Sequence, residues 1–66
     1  MKNNLKVARA MHDMTQQELA DSVQVSRQTI NAIEKGRFNP STLLSLKMSK
    51  VLGIPVNDLF QIEEGD

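Results

Sequence analysis

Residues 15–36 read TQQELADSVQVSRQTINAIEKG and carry the signals of two short helices joined by a tight turn. Thr15 and Glu18 have the spacing of a capping box, in which the hydroxyl accepts from a backbone N–H and the carboxylate reaches back. This pattern starts a helix over about 16–23. Its apolar positions recur at helical spacing and predict a buried face.

A second helix follows almost at once. The connection at 24–25 is too short for anything but a sharp change of direction. Ser26 is a good cap for a helix over about 27–35, and Gly36 can take the left-handed conformation that often ends a helix. The stretch therefore predicts a helix-turn-helix, although many buried helix pairs share so short a turn.

Three further helices are predicted around this pair. Asn3 or Asn4 can cap a first helix that runs to about residue 12, Ser41 can cap a helix over about 42–52, and Pro55 leads into a short helix over about 56–60. The fold class is therefore all-α, a compact five-helix bundle with short extended segments at the termini. The predicted core and loop packing include Leu5, Ala8, Met11, Met14, Leu19, Ala20, Val23, Ile30, Ile33 and Phe38. The fourth helix adds Leu43, Leu44, Leu46, Met48, Val51 and Leu52, which supply more apolar surface than one buried stripe needs.

Length and composition exclude several classes of protein. A chain of 66 residues allows one domain, with the helix-turn-helix proper at about 16–35. It has no Cys and one His, so neither disulfides nor a Cys-rich or multi-histidine metal site is expected. No apolar run is long enough for a membrane span, which favours the cytoplasm. No nucleophile has a base beside it, so neither an enzyme nor a cofactor is expected.

The formal net charge is zero, but the charges are unevenly distributed. Residues 27–50 carry five Lys and Arg against one Glu, whereas residues 51–66 carry four Asp and Glu and no Lys or Arg. A basic middle and an acidic tail are compatible with a nucleic-acid partner, although two solvated faces would account for them equally well.

The predicted second helix of the pair has a face suited to reading bases. Arg27, Gln28 and Asn31 lie on the side opposite Ile30 and Ile33. Arg pairs with guanine O6 and N7, and Gln or Asn pairs with adenine N6 and N7. A helix in the major groove reads bases with its N-terminal residues, which is where these side chains stand.

Residues on either side of this reader could contact phosphates. The first N–H groups of the preceding helix form an anion site, from which Gln16 and Gln17 project. Lys35, Arg37 and Asn39 make a loop of cations and an amide beyond the reader. Each of these residues, taken alone, could also be an ordinary solvated polar side chain. Taken together, the first turn of the helix over about 27–35 has no acidic residue and a basic loop follows that helix, which favours DNA binding.

A small module reads few base pairs, so a two-fold homodimer on a palindromic operator is expected, with half-sites about 34 Å apart. Val56, Leu59 and Ile62 are the candidate dimer contacts. The alternative is that Leu59 and Phe60 only close the core of the monomer.

The same residues resemble a known family. The segments 14–20 and 25–36, then 37–41 and 53–55 followed by 58–60, resemble the Xre/Cro–cI helix-turn-helix regulators over nearly the whole chain. The likeness is to short stand-alone members of the cytolysin-repressor type, which have no domain for a small-molecule effector. It implies a lambda-repressor-like fold.

The resemblance also implies roles for single residues. Gln16 and Asn39 match phosphate contacts, and Arg27, Gln28 and Asn31 match base-reading positions. Ser26 and Thr29 match positions near the backbone or bases. Arg9 and Glu34 match a structural ion pair, and Gln24 departs from the family because Gly is common there.

These observations predict a homodimeric, sequence-specific, double-stranded DNA-binding transcriptional regulator. A repressor is expected, because occupying an operator is sufficient for repression, whereas activation needs a polymerase-contacting patch that the sequence does not identify. The alternative, motivated by the acidic tail and the apolar C-terminal residues, is an antitoxin-like or other protein-interaction module with secondary DNA binding.

Overall fold

Serine and threonine caps decide where three of the helices begin. In the computed structural model, which describes residues 1–66, Thr15 Oγ1 accepts from Glu18 N–H at 3.0 Å, and Glu18 Oε1 accepts from Thr15 N–H at 2.9 Å. Ser26 Oγ accepts from Thr29 N–H and Ser41 Oγ accepts from Leu44 N–H. The predicted capping box and both serine caps are confirmed.

Five helices and a two-stranded sheet make up the chain. The elements in order are β1 Lys2–Asn3, α1 Leu5–Met11, α2 Gln16–Val23, α3 Arg27–Glu34, α4 Thr42–Leu52, α5 Val56–Leu59 and β2 Phe60–Gln61. The strands pair antiparallel, with Lys2 opposite Gln61 and Asn3 opposite Phe60. The all-α prediction with extended terminal segments is confirmed; α1, α3 and α5 each end one residue earlier than predicted.

The turn between α2 and α3 is built without glycine. Gln24 takes the left-handed conformation, with φ 64° and ψ 44°. Val25 N–H donates to Ala20 O at 3.0 Å, and Lys47 Nζ donates to the Gln24 side-chain Oε1 at 3.1 Å. The sharp connection that defines the helix-turn-helix is therefore present, and one residue carries its backbone strain.

One apolar core joins all five helices. Its fully buried side chains include Leu5, Leu19, Val23, Ile30, Ile33, Met48, Leu52 and Leu59. Ile30 and Ile33 turn one face of α3 inward and thereby direct the opposite face to solvent. None of the helices is long and apolar enough to span a membrane.

Three expectations about apolar residues are wrong. Leu59, a candidate dimer contact, is 0% exposed because the single turn of α5 points it into the monomer core, where its carbonyl accepts from Asn4 N–H. Met11 is 73% exposed because it lines an open groove beside Ile54 instead of meeting a neighbour. Phe38 is also half exposed, so it does not bury its ring against the core.

Candidate nucleic-acid interface

The first turn of α3 presents two free polar side chains. Arg27 and Gln28 are exposed, and neither side chain makes a hydrogen bond within the protein. At the start of the same helix, Ser26 Oγ and Thr29 Oγ1 lie 3.0 Å apart, so these two hydroxyls are within hydrogen-bond distance of each other. The guanidinium and the amide can therefore reach out to a ligand without breaking an existing bond.

A nearly buried ion pair anchors the other end of α3. Arg9 Nε lies 2.9 Å from Glu34 Oε2, and the two side chains are 15% and 5% exposed. Arg9 Nη2 reaches Glu34 Oε1 at 3.2 Å, and Nη1 donates to Met14 O at 2.8 Å. Glu34 therefore accepts hydrogen bonds from a residue of α1. Its carboxylate is not part of the exposed face of α3.

Gln16 links α2 to the middle of α3. Its Nε2 lies 3.3 Å from Asn31 Oδ1 and 3.2 Å from Glu34 Oε1. All three residues are partly buried. Gln16 and Asn31 are 15 positions apart in the sequence, so no local sequence pattern predicts this contact.

Gln17 makes a different contact. Its Nε2 donates to Asp21 Oδ1 at 2.8 Å on the exposed side of α2. The two neighbouring glutamines, both expected near phosphates, therefore have separate surroundings: Gln16 faces α3, and Gln17 faces solvent along its own helix.

The loop after α3 carries two exposed cations and an exposed amide. Gly36 adopts φ 73°, and Arg37 N–H donates to Ala32 O at 2.9 Å, which turns the chain away from the helix. Lys35, Arg37 and Asn39 are exposed, and their side chains make no hydrogen bond within the protein. This loop directly follows the helix whose outer face holds Arg27 and Gln28.

The remaining candidate residues lie in the C-terminal part of the chain. Val56 is half-buried and packs against the core, whereas Ile62 is 86% exposed. Of the predicted dimer contacts, Ile62 alone offers a large free apolar surface.

The acidic tail is partly held by the amino terminus. The Met1 amino group lies 3.0 Å from Asp66 Oδ1 and 3.5 Å from Glu63 Oε1. The hydrogen bond from this group to Asp66 raises the pKa of the Met1 amino group. The backbone N–H of Glu63, followed by the Met1 amino group, lowers the pKa of Asp66. Part of the tail's negative charge is thus compensated locally, beside β1.

Comparison with known proteins defines the class. The helix-turn-helix family model matches residues 5–59. The chain is 48% identical over its full length to an uncharacterized HTH-type transcriptional regulator of Methanocaldococcus jannaschii, and it covers all of that protein. It is 45% identical over 64 residues to the HTH-type regulator YgzD of Bacillus subtilis, with 97% of each chain covered.

Solved structures agree with this match. The restriction-modification controller protein C.AhdI of Aeromonas hydrophila superposes with a TM-score of 0.77 at 28% identity, over 85% of both chains. The clp gene regulator ClgR of Corynebacterium glutamicum superposes with a TM-score of 0.76 at 33% identity, over 82% of this chain and 57% of that one. The chain therefore belongs to the Xre/Cro–cI-like helix-turn-helix family of transcriptional regulators.

Proposed function

We propose that the chain binds double-stranded DNA sequence-specifically, with α3 in the major groove and residues 1–66 acting as one DNA-binding unit. The observation that carries this proposal is the pair of exposed, unengaged side chains of Arg27 and Gln28 on the first turn of α3. Arg is suited to guanine, and Gln to adenine, at base edges in that groove. Asn31, one turn further along, is the third proposed reader.

Phosphate contacts would fix the position of α3 along the DNA. The first-turn N–H groups of α2, at Gln16 and Gln17, are one proposed anion contact. Lys35, Arg37 and Asn39 are the other, because a loop beyond the reading helix meets the adjacent backbone. Ser26 and Thr29 support the reader through the bond between their hydroxyls.

The proposal is tested by selecting bound duplexes from a random pool. We expect enrichment of a two-fold symmetric site whose half-sites lie about one helical turn apart. A pool that shows no enrichment would contradict sequence-specific DNA binding. An enriched site without two-fold symmetry would contradict only the homodimer.

The homodimer is proposed to use the C-terminal end of the chain. Ile62, at 86% exposed, and the half-buried Val56 are the proposed contacts. Sedimentation of Ile62→Asp should show more monomer than wild type, with Glu64→Gln as a control in the same tail. If both variants remain as dimeric as wild type, the dimer contact does not involve Ile62.

The regulatory outcome is proposed to be repression, because occupancy of an operator suffices for it. The protein would act in the cytoplasm, and no residue is assigned a catalytic role. A reporter whose promoter carries the selected site should fall in expression when the protein is supplied; a rise would indicate activation.

One observation favours a second candidate function, an antitoxin-like or other protein-interaction module. An open groove of about 320 Å³ lies between α1 and α5, with Val7, Met11 and Ile54 on its walls and Asp58 at its edge. Co-purification from native cells that recovers only copies of this chain would count against such a partner.

A further inference from the structure

The groove between α1 and α5 is a concave surface lined mostly by apolar side chains. Val7 and Met11 lie one turn apart on α1, and both are exposed, whereas Ile54 comes from the connection before α5. Ala8 and Leu59 also line the groove and are buried. The volume of about 320 Å³ falls at the small end of the range of sites for small molecules, which are mostly apolar with a few polar groups.

Asn4 fixes the position of α1 relative to α5. Its backbone N–H donates to Leu59 O at 2.9 Å, and its side-chain Nδ2 donates to Asp58 O at 3.1 Å. These two hydrogen bonds join the start of α1 to the end of α5, so the groove is formed before any ligand arrives. A preformed site loses less free energy to ordering on binding than a site that must first assemble.

The groove carries a negative charge that nothing in the protein compensates. Asp58 is the only charged residue that lines it, and the exposed Asp58 carboxylate makes no hydrogen bond or ion pair within the protein. The two cations of α1 are not available: Lys6 does not line the groove, and Arg9 donates to Glu34 and to the Met14 carbonyl. The complement of this surface is therefore an apolar body with a positive charge at one end.

We propose that this groove binds a small organic cation, in which an ammonium group is joined to a short aryl or alkyl body. The body would pack against Val7, Met11 and Ile54, and the Met11 thioether is suited to the edge of an aromatic ring. The ammonium would donate a charge-assisted hydrogen bond to the Asp58 carboxylate. The site needs no DNA, so it stands or falls independently of the DNA binding proposed above.

The size of the groove favours a small molecule over a protein partner. An engineered apolar cavity of about 150 Å³ holds a benzene molecule, so about 320 Å³ has room for a ring with a short ammonium arm. A stable protein interface uses about 20–30 residues on each side, whereas seven residues line this groove. A protein that occupied it would therefore need further contacts outside the groove.

The test follows the backbone amide NMR signals of wild type during titration with three probes of similar shape at constant ionic strength. The probes are phenethylammonium, phenethyl alcohol and 3-phenylpropanoate. We expect saturable shifts at Val7, Met11 and Ile54, with a dissociation constant of about 1 mM for the cation. The alcohol should bind about threefold more weakly, because an exposed ion pair adds little, and the carboxylate more weakly still. Equal affinity for all three probes, or equal shifts at the exposed Leu43 and Leu46 of α4, would overturn the proposal.

Asp58→Asn tests the origin of the charge preference. The substitution removes the carboxylate charge and keeps the size of the side chain, so the cation and the alcohol should bind with equal affinity. Asp21→Asn makes the same change in charge on α2, outside the groove, and should keep the threefold preference. If both variants lose the preference, the net charge of the protein selects the cation, and the role given to Asp58 is wrong.

Met11→Ala tests the apolar part of the site at an exposed position where the fold does not depend on the side chain. It should weaken the cation and the alcohol by the same factor, about fourfold for each methylene group that the ligand no longer covers. Leu46→Ala, which also shortens an exposed apolar side chain but lies outside the groove, should change neither affinity. Unchanged binding in Met11→Ala would overturn the proposal. Shifts at the groove that grow with protein concentration in the absence of any probe would also overturn it, because a second copy of the chain would then fill the groove.

Discussion

Arg9 and Glu34 join α1 to the last turn of α3 through two hydrogen bonds, one to each carboxylate oxygen, of 2.9 and 3.2 Å. The Glu34 side chain is only 5% exposed, so its charge depends on Arg9 for compensation. Breaking such a pair leaves one desolvated charge, whereas replacing both partners by apolar groups removes the problem.

Arg9→Met should therefore lower the free energy of unfolding by about 3–5 kcal/mol. The double variant Arg9→Met/Glu34→Leu should recover much of that loss, because no uncompensated carboxylate remains. Urea denaturation measures both. The single variant Glu34→Leu completes the comparison, and a double variant that loses as much stability as the two single variants together would show that the pair is not coupled.

Gln24→Gly should stabilise the protein. Gln24 adopts φ 64°, a conformation that costs an L-residue about 1–2 kcal/mol and glycine almost nothing. Glycine also adds conformational entropy to the unfolded chain, which offsets part of this gain. We therefore expect a net increase of about 1 kcal/mol in the free energy of unfolding.

Gly53→Ala provides the reverse control for this prediction. Gly53 has φ +66° with nothing within 4 Å of an added Cβ, so alanine there meets backbone strain alone. It should lose about 1 kcal/mol. If Gln24→Gly destabilises instead, the bond from Lys47 Nζ to the Gln24 side chain outweighs the strain.

Acid should weaken the start of α2. The Thr15 backbone N–H, and after it the Thr15 hydroxyl, lower the pKa of Glu18. Because this pKa is lower in the folded chain, the contribution is present above the unfolded pKa and is lost as the pH falls through the folded pKa. Glu18→Gln, which can still close a capping box, should lose less stability on acidification from about pH 7 to about pH 3.

The control for the acid effect is Glu64→Gln, at an exposed tail residue that makes no hydrogen bond. Its pH dependence should follow wild type. Denaturation at a series of pH values measures all three proteins, and identical profiles for Glu18→Gln and wild type would rule out the contribution of Glu18.

Salt should weaken DNA binding less steeply than it does for a uniformly basic domain. Lys35 and Arg37 are the two exposed cations of the proposed phosphate-contacting loop, which gives a log–log slope of about −2 per protomer. Arg37→Ala should make this slope shallower by about one, and Lys6→Ala on α1 should not change it. A steep slope that neither variant alters would refute this assignment of phosphate contacts.

Local chemistry made the helices predictable. Hydroxyl caps at Thr15, Ser26 and Ser41 act on N–H groups three residues away, so the sequence itself contains both partners. Helical spacing likewise predicted that Ile30 and Ile33 would face inward.

Side chains whose surroundings depend on distant elements were less predictable. The one-turn helix α5 is too short for periodicity to say that Leu59 points inward, and the sequence does not tell whether a neighbour covers Met11. The contact between Gln16 and Asn31 is of the same kind, since the packing angle of α2 on α3 creates it. The terminal strands, of two residues each, are too short to show alternation.

The most direct test of sequence-specific reading by α3 is the affinity of wild type, Arg27→Ala and Gln28→Ala for the selected duplex and for its scrambled counterpart, with Ser22→Ala on α2 as the control. The account predicts that each reader variant loses about 1–3 kcal/mol on the selected duplex and little on the scrambled one. Equal affinity of wild type for both duplexes, or equal losses on both, would contradict it.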